Sequence, residues 1–280
     1  SNIATAPASN SITISVEDGA DLYEVVYSTV ADFDPDLATA VQINNPGDIY
    51  NLEPETRYYM YLRTVCEDSH SRWSDIFNDM TASANIAEVP YTCDFEDETE
   101  NEGWTLLNGT AVNKWFIGEA TGNPDHSLYI SNDGGTTNAY TNTASANVWA
   151  YRDVRFPAST GYPYTLSFDW KSKGETSAND YVKVFIGNLA TVTPNTSSTA
   201  ASAPQGATLV GTFYNQDTWQ HVEFDLSDAA YSNTTKRIYI LWRNNTSAGV
   251  DPSGAIDNIA INYNTCPMPT ALRTTNVGGE

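Results

Sequence analysis

PYTLSFDW, residues 163–170, places Tyr164, Leu166, Phe168 and Trp170 at every second position, with Thr165, Ser167 and Asp169 between them. Successive side chains of an extended backbone point to opposite faces, so this spacing collects the four large apolar groups on one side. A helix would scatter them around its axis. The stretch therefore predicts a half-buried β-strand. The same texture extends outward through YVKVFIG (181–187), TLVGTF (208–213), WQHVEFDL (219–226), RIYILWR (237–243) and AIDNIAI (255–261). In WQHVEFDL the inward set is Val222, Phe224 and Leu226, which turns His221 outward; Trp170 and Trp242 sit on apolar faces and read as core. These runs recur every 10–18 residues without a 3.6-residue period, the pattern of a two-sheet jelly roll. Between them, TVTPNTSSTAASAPQGA (191–207) is low in complexity and reads as a mobile surface loop.

The N-terminal part is also β-rich. NSITISVE (10–17) and LYEVVYST (22–29) alternate, AVQI (40–43) leads to the turn Asn45-Pro46-Gly47, and NLEPETRYYMYLRTVCE follows. There Tyr58, Met60, Leu62 and Thr64 share a face. The run Leu52-x-Pro54-x-Thr56-x-Tyr58 resembles the tyrosine corner of β-sandwich domains. Residues 1–84 accordingly resemble a fibronectin type III domain, with SRWSDIFNDMTA (71–82) as its last strand. One departure is clear. The family's second-strand tryptophan is replaced by Val16, which leaves Trp73 or Tyr27 to fill the core. Residues 85–91 read as a linker, 92–265 as the larger jelly roll, and 266–280 (CPMPTALRTTNVGGE) as the start of a further fibronectin type III-like module. Ser1–Pro7 resembles the same opening without its cysteine, so the array is expected to continue in both directions.

Composition narrows the function classes. The 280 residues suffice for two cores, and with 12% aromatic and 17% charged residues the chain is not disordered. Its formal charge of −22 is shared evenly: residues 1–85 carry 14 acids and 3 bases, the remainder 21 acids and 10 bases. Such a surface repels nucleic acid and anionic membranes. No apolar run reaches the length of a membrane-spanning helix, so membrane insertion is not expected, and no signal peptide is legible. Excess carboxylates favour solubility and, outside the cell, calcium capture. Four Asn-x-Ser/Thr sequons (Asn108, Asn195, Asn233, Asn245) are what chance supplies in a chain this rich in Asn, Ser and Thr.

CDFEDETENEGW (93–104) packs six carboxylates between Asp94 and Glu102. With Gly103-Trp104, Trp115, Asp125-His126, Tyr129 and Ala255-Ile256-Asp257-Asn258-Ile259, it makes the second unit resemble the jelly roll shared by MAM domains and gingipain-type (cleaved) adhesins. That resemblance implies pairing of first and last strands, which brings Glu96 beside Asp257, and a structural Ca2+ held by Glu96 and Asp257 with Asp125 third. Two ionised carboxylates on adjoining strands are costly to desolvate unless a cation lies between them. On this reading CDFE is a strand, with Phe95 inward and Asp94 and Glu96 on the other face. The alternative is that Asp257 caps a turn and Glu96 binds backbone N–H groups without metal. Asp97, Glu98, Glu100 and Glu102 read as solvated loop charges. The second cysteine of MAM domains is absent. Cys93 pairs with Cys266, or is a small buried thiol while Cys66 and Cys266 belong to fibronectin-module disulfides; either arrangement favours an oxidising, extracellular setting.

Nucleophile-elbow, zincin and phosphate-loop motifs are absent, and only three histidines are available (His70, His126, His221). Acid pairs are guaranteed in a chain with 35 acids, so they do not signal a glycosidase. The expectation is a non-enzyme: an adhesion or substrate-binding segment of a secreted or surface-anchored bacterial multidomain protein, monomeric within its chain, with a host or matrix protein or a glycan as partner. The alternatives are a carbohydrate-binding module tethering an outside catalytic domain, or a ligand-free spacer. For a sugar, Trp149, Tyr151 and Arg152 of NVWAYR, with Trp115 and Tyr140, are the candidate contacts. Alternating aromatics in a sandwich also serve simply as core.

Overall fold

A computed structural model describes residues 2–264 apart from 18, 68, 159–161, 177, 178 and 227. The cysteine at 266 and the module expected from 266 onward lie outside the described residues.

Seven strands form a first sandwich: β1 (Ile3–Pro7), β2 (Ser11–Val16), β3 (Leu22–Ser28), β4 (Val41–Asn44), β5 (Gly47–Tyr50), β6 (Arg57–Thr64) and β7 (Phe77–Met80). They make a three-stranded sheet, β1-β2-β5, facing a four-stranded sheet, β4-β3-β6-β7. The alternation of NSITISVE does what it promised: Ile12, Ile14 and Val16 are buried with Val25, Met60 and Leu62. The Tyr58 hydroxyl accepts the Glu53 N–H at 3.0 Å, tying the strand to the chain five residues upstream. Tyr27 packs against this core. Trp73 does not: it lies outside, under the Arg63 guanidinium at 4.3 Å, with its indole N–H on Asp36.

Twelve further strands build the second sandwich. These are β8 (Ala87–Glu88), β9 (Tyr91–Cys93), β10 (Thr105–Leu107), β11 (Lys114–Gly118), β12 (Ser127–Ser131), β13 (Ala146–Phe156), β14 (Tyr164–Ser172), β15 (Tyr181–Gly187), β16 (Ala207–Phe213), β17 (Gln216–Leu226), β18 (Thr234–Asn244) and β19 (Ala255–Tyr263). One sheet runs β10-β13-β18-β15-β16 with β8 beside β13; the other runs β11-β12-β19-β14-β17 with β9 beside β19. The fold is all-β. Tyr164, Leu166, Phe168 and Trp170 all point into the space between the sheets, where they meet Val148, Val184, Ile240 and Trp242 of the opposite layer. Burying about ten such side chains, at roughly 1.5–3 kcal/mol each, dominates the driving force.

β13 and β18 differ from β14 in having both faces covered. Their inward residues (Val148, Ala150, Ile240, Trp242) join the core, while Trp149, Tyr151, Tyr239 and Leu241 form a second apolar layer on the outer face with Tyr181 and Phe185. Over that layer lies the segment after β15. Its Ala190 and Val192 are buried there, and Asn147 fastens it by donating to Asn195, Ser197 and Thr199. The expected mobile loop is instead pinned to the sheet.

The two sandwiches meet through polar groups and through a small apolar cluster of Met80, Ala82 and Leu189. Arg237 makes a two-pronged contact with Asp153 (2.6 and 2.9 Å), reaches Glu55 at 3.2 Å, and lies 3.7 Å over the Tyr151 ring. Tyr151 donates its hydroxyl to Glu55, Ser83 donates its N–H to Asp153, and Thr235 donates to the Pro7 carbonyl.

Candidate functional site

β9 pairs antiparallel with β19, Cys93 opposite Ile259. The strand ends at Cys93, however, one residue before Asp94. Phe95 has φ +61°, outside the extended region, and the Asp94 side chain accepts the Glu96 N–H at 3.2 Å, closing a turn. Asp94 and Glu96 therefore project from this turn rather than from one face of a strand. Phe95 is buried as expected, against Trp104 at 5.5 Å.

Asp257 is the centre of the site. β14 aligns Asp169 with Asp257 on one side and with His221 on the other. The Asp257 side chain has no solvent exposure; its Oδ1 accepts the Asn258 N–H at 2.7 Å, while Oδ2 has no hydrogen-bond partner. Burial first, then the nearby charges of Asp169, Glu96 and Asp94, push this carboxyl up to about 7 against that one hydrogen bond. Asp169 is better served: it accepts from Asn123 and Asn258 on Oδ2 and meets His221 at 2.7 Å on Oδ1. Glu96 accepts the N–H groups of His126 (2.8 Å) and Asp125 (3.2 Å) and pairs with the His126 ring at 2.5 Å. The backbone donor of His126 leads in holding the Glu96 carboxyl below its usual range, and the Glu96 contact raises the His126 ring.

Of the three expected ligands, Glu96 and Asp257 thus feel one another's charge, whereas Asp125 is exposed and contributes its backbone N–H to Glu96. Asp169, which the sequence reading did not single out, lies opposite Asp257 on the neighbouring strand. Its signal was present: the outward residue between Phe168 and Trp170, on a strand that must neighbour AIDNIAI. The donors are all hard oxygens, and the orphaned Oδ2 of Asp257 is the atom a cation or a proton would satisfy. No three His, Cys, Asp or Glu side chains among the described residues converge closely enough to hold a metal by themselves. Backbone and amide carbonyl oxygens would have to complete a calcium shell, as they commonly do.

The proposed sugar contacts lie elsewhere. Trp115 and Tyr140 are core residues; the Trp115 indole donates to the Val148 carbonyl at 3.1 Å and the Tyr140 hydroxyl to Asp180 at 2.6 Å. Trp149 and Tyr151 do point away from the core, as a stacking platform needs, but at 2% and 5% exposure they lie beneath the covering segment and Glu55. Arg152 is 1% exposed, held by Glu100 at 2.8 and 3.2 Å and by the Asn85 carbonyl. Glu100 also accepts from the Tyr91 hydroxyl, so it is an ion-pair partner on a single helical turn (Glu98–Asn101), not a solvated loop charge. Asp97 caps that turn by accepting the Thr99 N–H. Gly103 is explained by the same arginine: a Cβ there would lie 2.5 Å from Arg152 Cζ. Among the described residues neither Cys93, buried and pushed up by burial, nor the exposed Cys66 has a disulfide partner, and the expected partner Cys266 lies outside them.

No family model and no curated protein matches the chain. Among solved structures, a carbohydrate-binding module from the β-sandwich superfamily aligns over 94% of this chain and 96% of its own at 12% identity, TM-score 0.36. A tandem of family 22 carbohydrate-binding modules from Paenibacillus barcinonensis aligns over 92% and 80% at 14% identity, TM-score 0.36. The K3 cleaved adhesin domain of Lys-gingipain from Porphyromonas gingivalis W83 aligns over 61% and 97% at 16% identity, TM-score 0.35. At such values a shared ligand or site does not follow, and function is read from the geometry alone.

Proposed function

We propose that this chain is a non-catalytic adhesion or substrate-binding segment of an extracellular, multi-module bacterial protein, in which a fibronectin type III-like sandwich (1–84) is joined by residues 85–91 to an adhesin-like jelly roll (92–265) that calcium stabilises. The single observation that carries the calcium site is Asp257: a fully buried carboxylate with one oxygen unpartnered, beside Asp169, Glu96 and Asp94. A divalent cation there would relieve the mutual repulsion and the burial of charge together. Asp257 and Glu96 would hold it, with backbone and amide carbonyl oxygens completing the shell and Asp169 adding nearby charge, and its contribution is to fix the first and last strands of the jelly roll; no reaction is assigned to it. The three-plus-four strand arrangement of residues 3–80 and the Tyr58 contact to Glu53 support the fibronectin-like reading.

Thermal melts in calcium and in EDTA test the metal, and binding to immobilised glycans and extracellular-matrix proteins tests the role. Higher melting in calcium, lost in Asp257→Asn, with retention on at least one ligand surface, is expected. An unchanged melting temperature together with no binding to any surface would leave only the spacer reading. The carbohydrate-module reading built on Trp149, Tyr151 and Arg152 requires residues 188–206 to leave Trp149, and Glu55, Asn85 and Glu100 to leave Tyr151 and Arg152, and it predicts that Trp149→Ala abolishes glycan binding.

A further inference from the structure

A polar cleft runs along the junction of the two sandwiches. A cavity of about 170 Å³ is lined by Thr5, Asn78 and Asp79 from the first and by Asn188, Thr235 and Lys236 from the second. Beside it, sharing Asn78, Asp79 and Asn188, lies a space of about 300 Å³ reached by Arg57 and Gln205. A single buried water needs roughly 10–15 Å³ on this measure, so the cleft has room for much more. Its size reaches the lower end of ordinary ligand sites, about 300–1,000 Å³.

The side chains that line it hold one another in pairs. Asp79 accepts from the Thr5 hydroxyl at 2.6 Å and from the Met80 N–H at 2.8 Å. Lys236 donates to Asn188 Oδ1 at 2.8 Å, and Arg57 donates to Asn78 Oδ1 at 2.6 Å. Gly206, at φ +71°, keeps the wall thin, since a Cβ there would lie 3.0 Å from the Asn188 amide. Asp79 and Lys236 line one cavity and feel each other's charge, yet they form no ion pair. Burial raises the carboxyl and lowers the ammonium, as it does for charges that lack a direct counter-ion. Opposite charges held apart in a polar cavity suit a ligand whose groups both donate and accept. Hydroxyls do so; a simple anion would face Asp79, and a cation would face Arg57 and Lys236.

We infer that this cleft is a binding site for a saccharide unit, with vicinal hydroxyls bridging Asp79 on one wall and Lys236, Asn188 and Gln205 on the other. The inference rests on the reading of the chain as a binding segment and places its ligand at the junction of the sandwiches instead of on the covered aromatic face. Recognition here is by hydrogen bonds without ring stacking, so single glycosides bind weakly and neighbouring residues of a glycan add to affinity.

The test is titration of the full chain with methyl glycosides of glucose, galactose, mannose and N-acetylglucosamine, and with free glycine, followed by ligand-observed NMR and calorimetry. Lys236→Met and Gln205→Ala are the variants, the second an exposed rim position that leaves folding intact. At least one glycoside is expected to bind, with affinity falling about tenfold in each variant while melting temperature is retained. Glycoside binding that both variants leave unchanged overturns the cleft and preserves the binding function. Glycine binding without glycoside binding overturns the saccharide assignment, as does failure of every probe. In the last case, retention on a matrix-protein surface would still uphold the binding reading, so the two failures are distinguishable.

Discussion

A carboxylate sealed from water with one oxygen lacking a donor is stable in two ways, protonated or against a cation. For Asp257 this sets a pH dependence. Its folded value near 7 lies above the ordinary value of about 3.9, so the folded state keeps the proton through a window in which the unfolded chain has lost it. In EDTA, stability therefore falls as pH rises from about 4 to 7, by an amount on the order of a few kcal/mol. Asp257→Asn should flatten that profile and raise the melting temperature at alkaline pH; a variant profile parallel to wild type would refute the assignment. Gly103 makes a second residue-scale prediction. Arg152 cannot retreat, being held by Glu100 and Asn85, so Gly103→Ala forces overpacking and should lower stability by about 1–3 kcal/mol, read from the urea midpoint. Glu100 was readable in the sequence as a charge and Gly103 as part of a Gly-Trp pair, but their joint purpose was not, because Arg152 lies some fifty residues away.

At the scale of elements, the strands were largely legible and their outer surroundings were not. PYTLSFDW alternates and has one buried apolar face; RIYILW and NVWAY do not alternate, and both their faces are covered. That loss of alternation was the available signal that Trp149 and Tyr151 would not be open platforms. What covers them could not be read, because TVTPNTSSTAASAPQGA has the composition of a free loop and is fixed by Asn147 on another strand. Asn147→Ala removes those donors and should release the segment. Faster proteolytic cleavage within 191–206, with little change in the rest of the fold, is the expected result; an unchanged cleavage rate would show that the backbone bridge to Asn195, the Arg243 contact to Ser198 and the apolar contacts through Ala190 and Val192 suffice. The CDFE strand ended early for a local reason. Asp94 offers its own side chain to the backbone two residues on, which favours a turn over a ladder.

Over the whole molecule, the two sandwiches meet where buried Asp153, Arg237 and Tyr151 of the second reach the exposed Glu55 of the first. Removing one member of a buried ion pair leaves the other uncompensated, at a cost of about 3–5 kcal/mol. Asp153→Ala should therefore lower the stability of the second sandwich, where both partners lie on adjoining strands, read as an earlier calorimetric transition; an unchanged transition would mean that the pair is not needed there. Sequence reading could place each sandwich, since alternation and the tyrosine corner are local, but it could not place the joint, whose members come from positions 55, 83, 151, 153 and 237. The account as a whole turns on calcium at the strand pair that closes the jelly roll. Calorimetric titration of calcium into EDTA-stripped protein tests it most directly: one site is predicted in the wild type and none in Asp257→Asn, whereas no binding to the wild type, or equal binding to both, would contradict it.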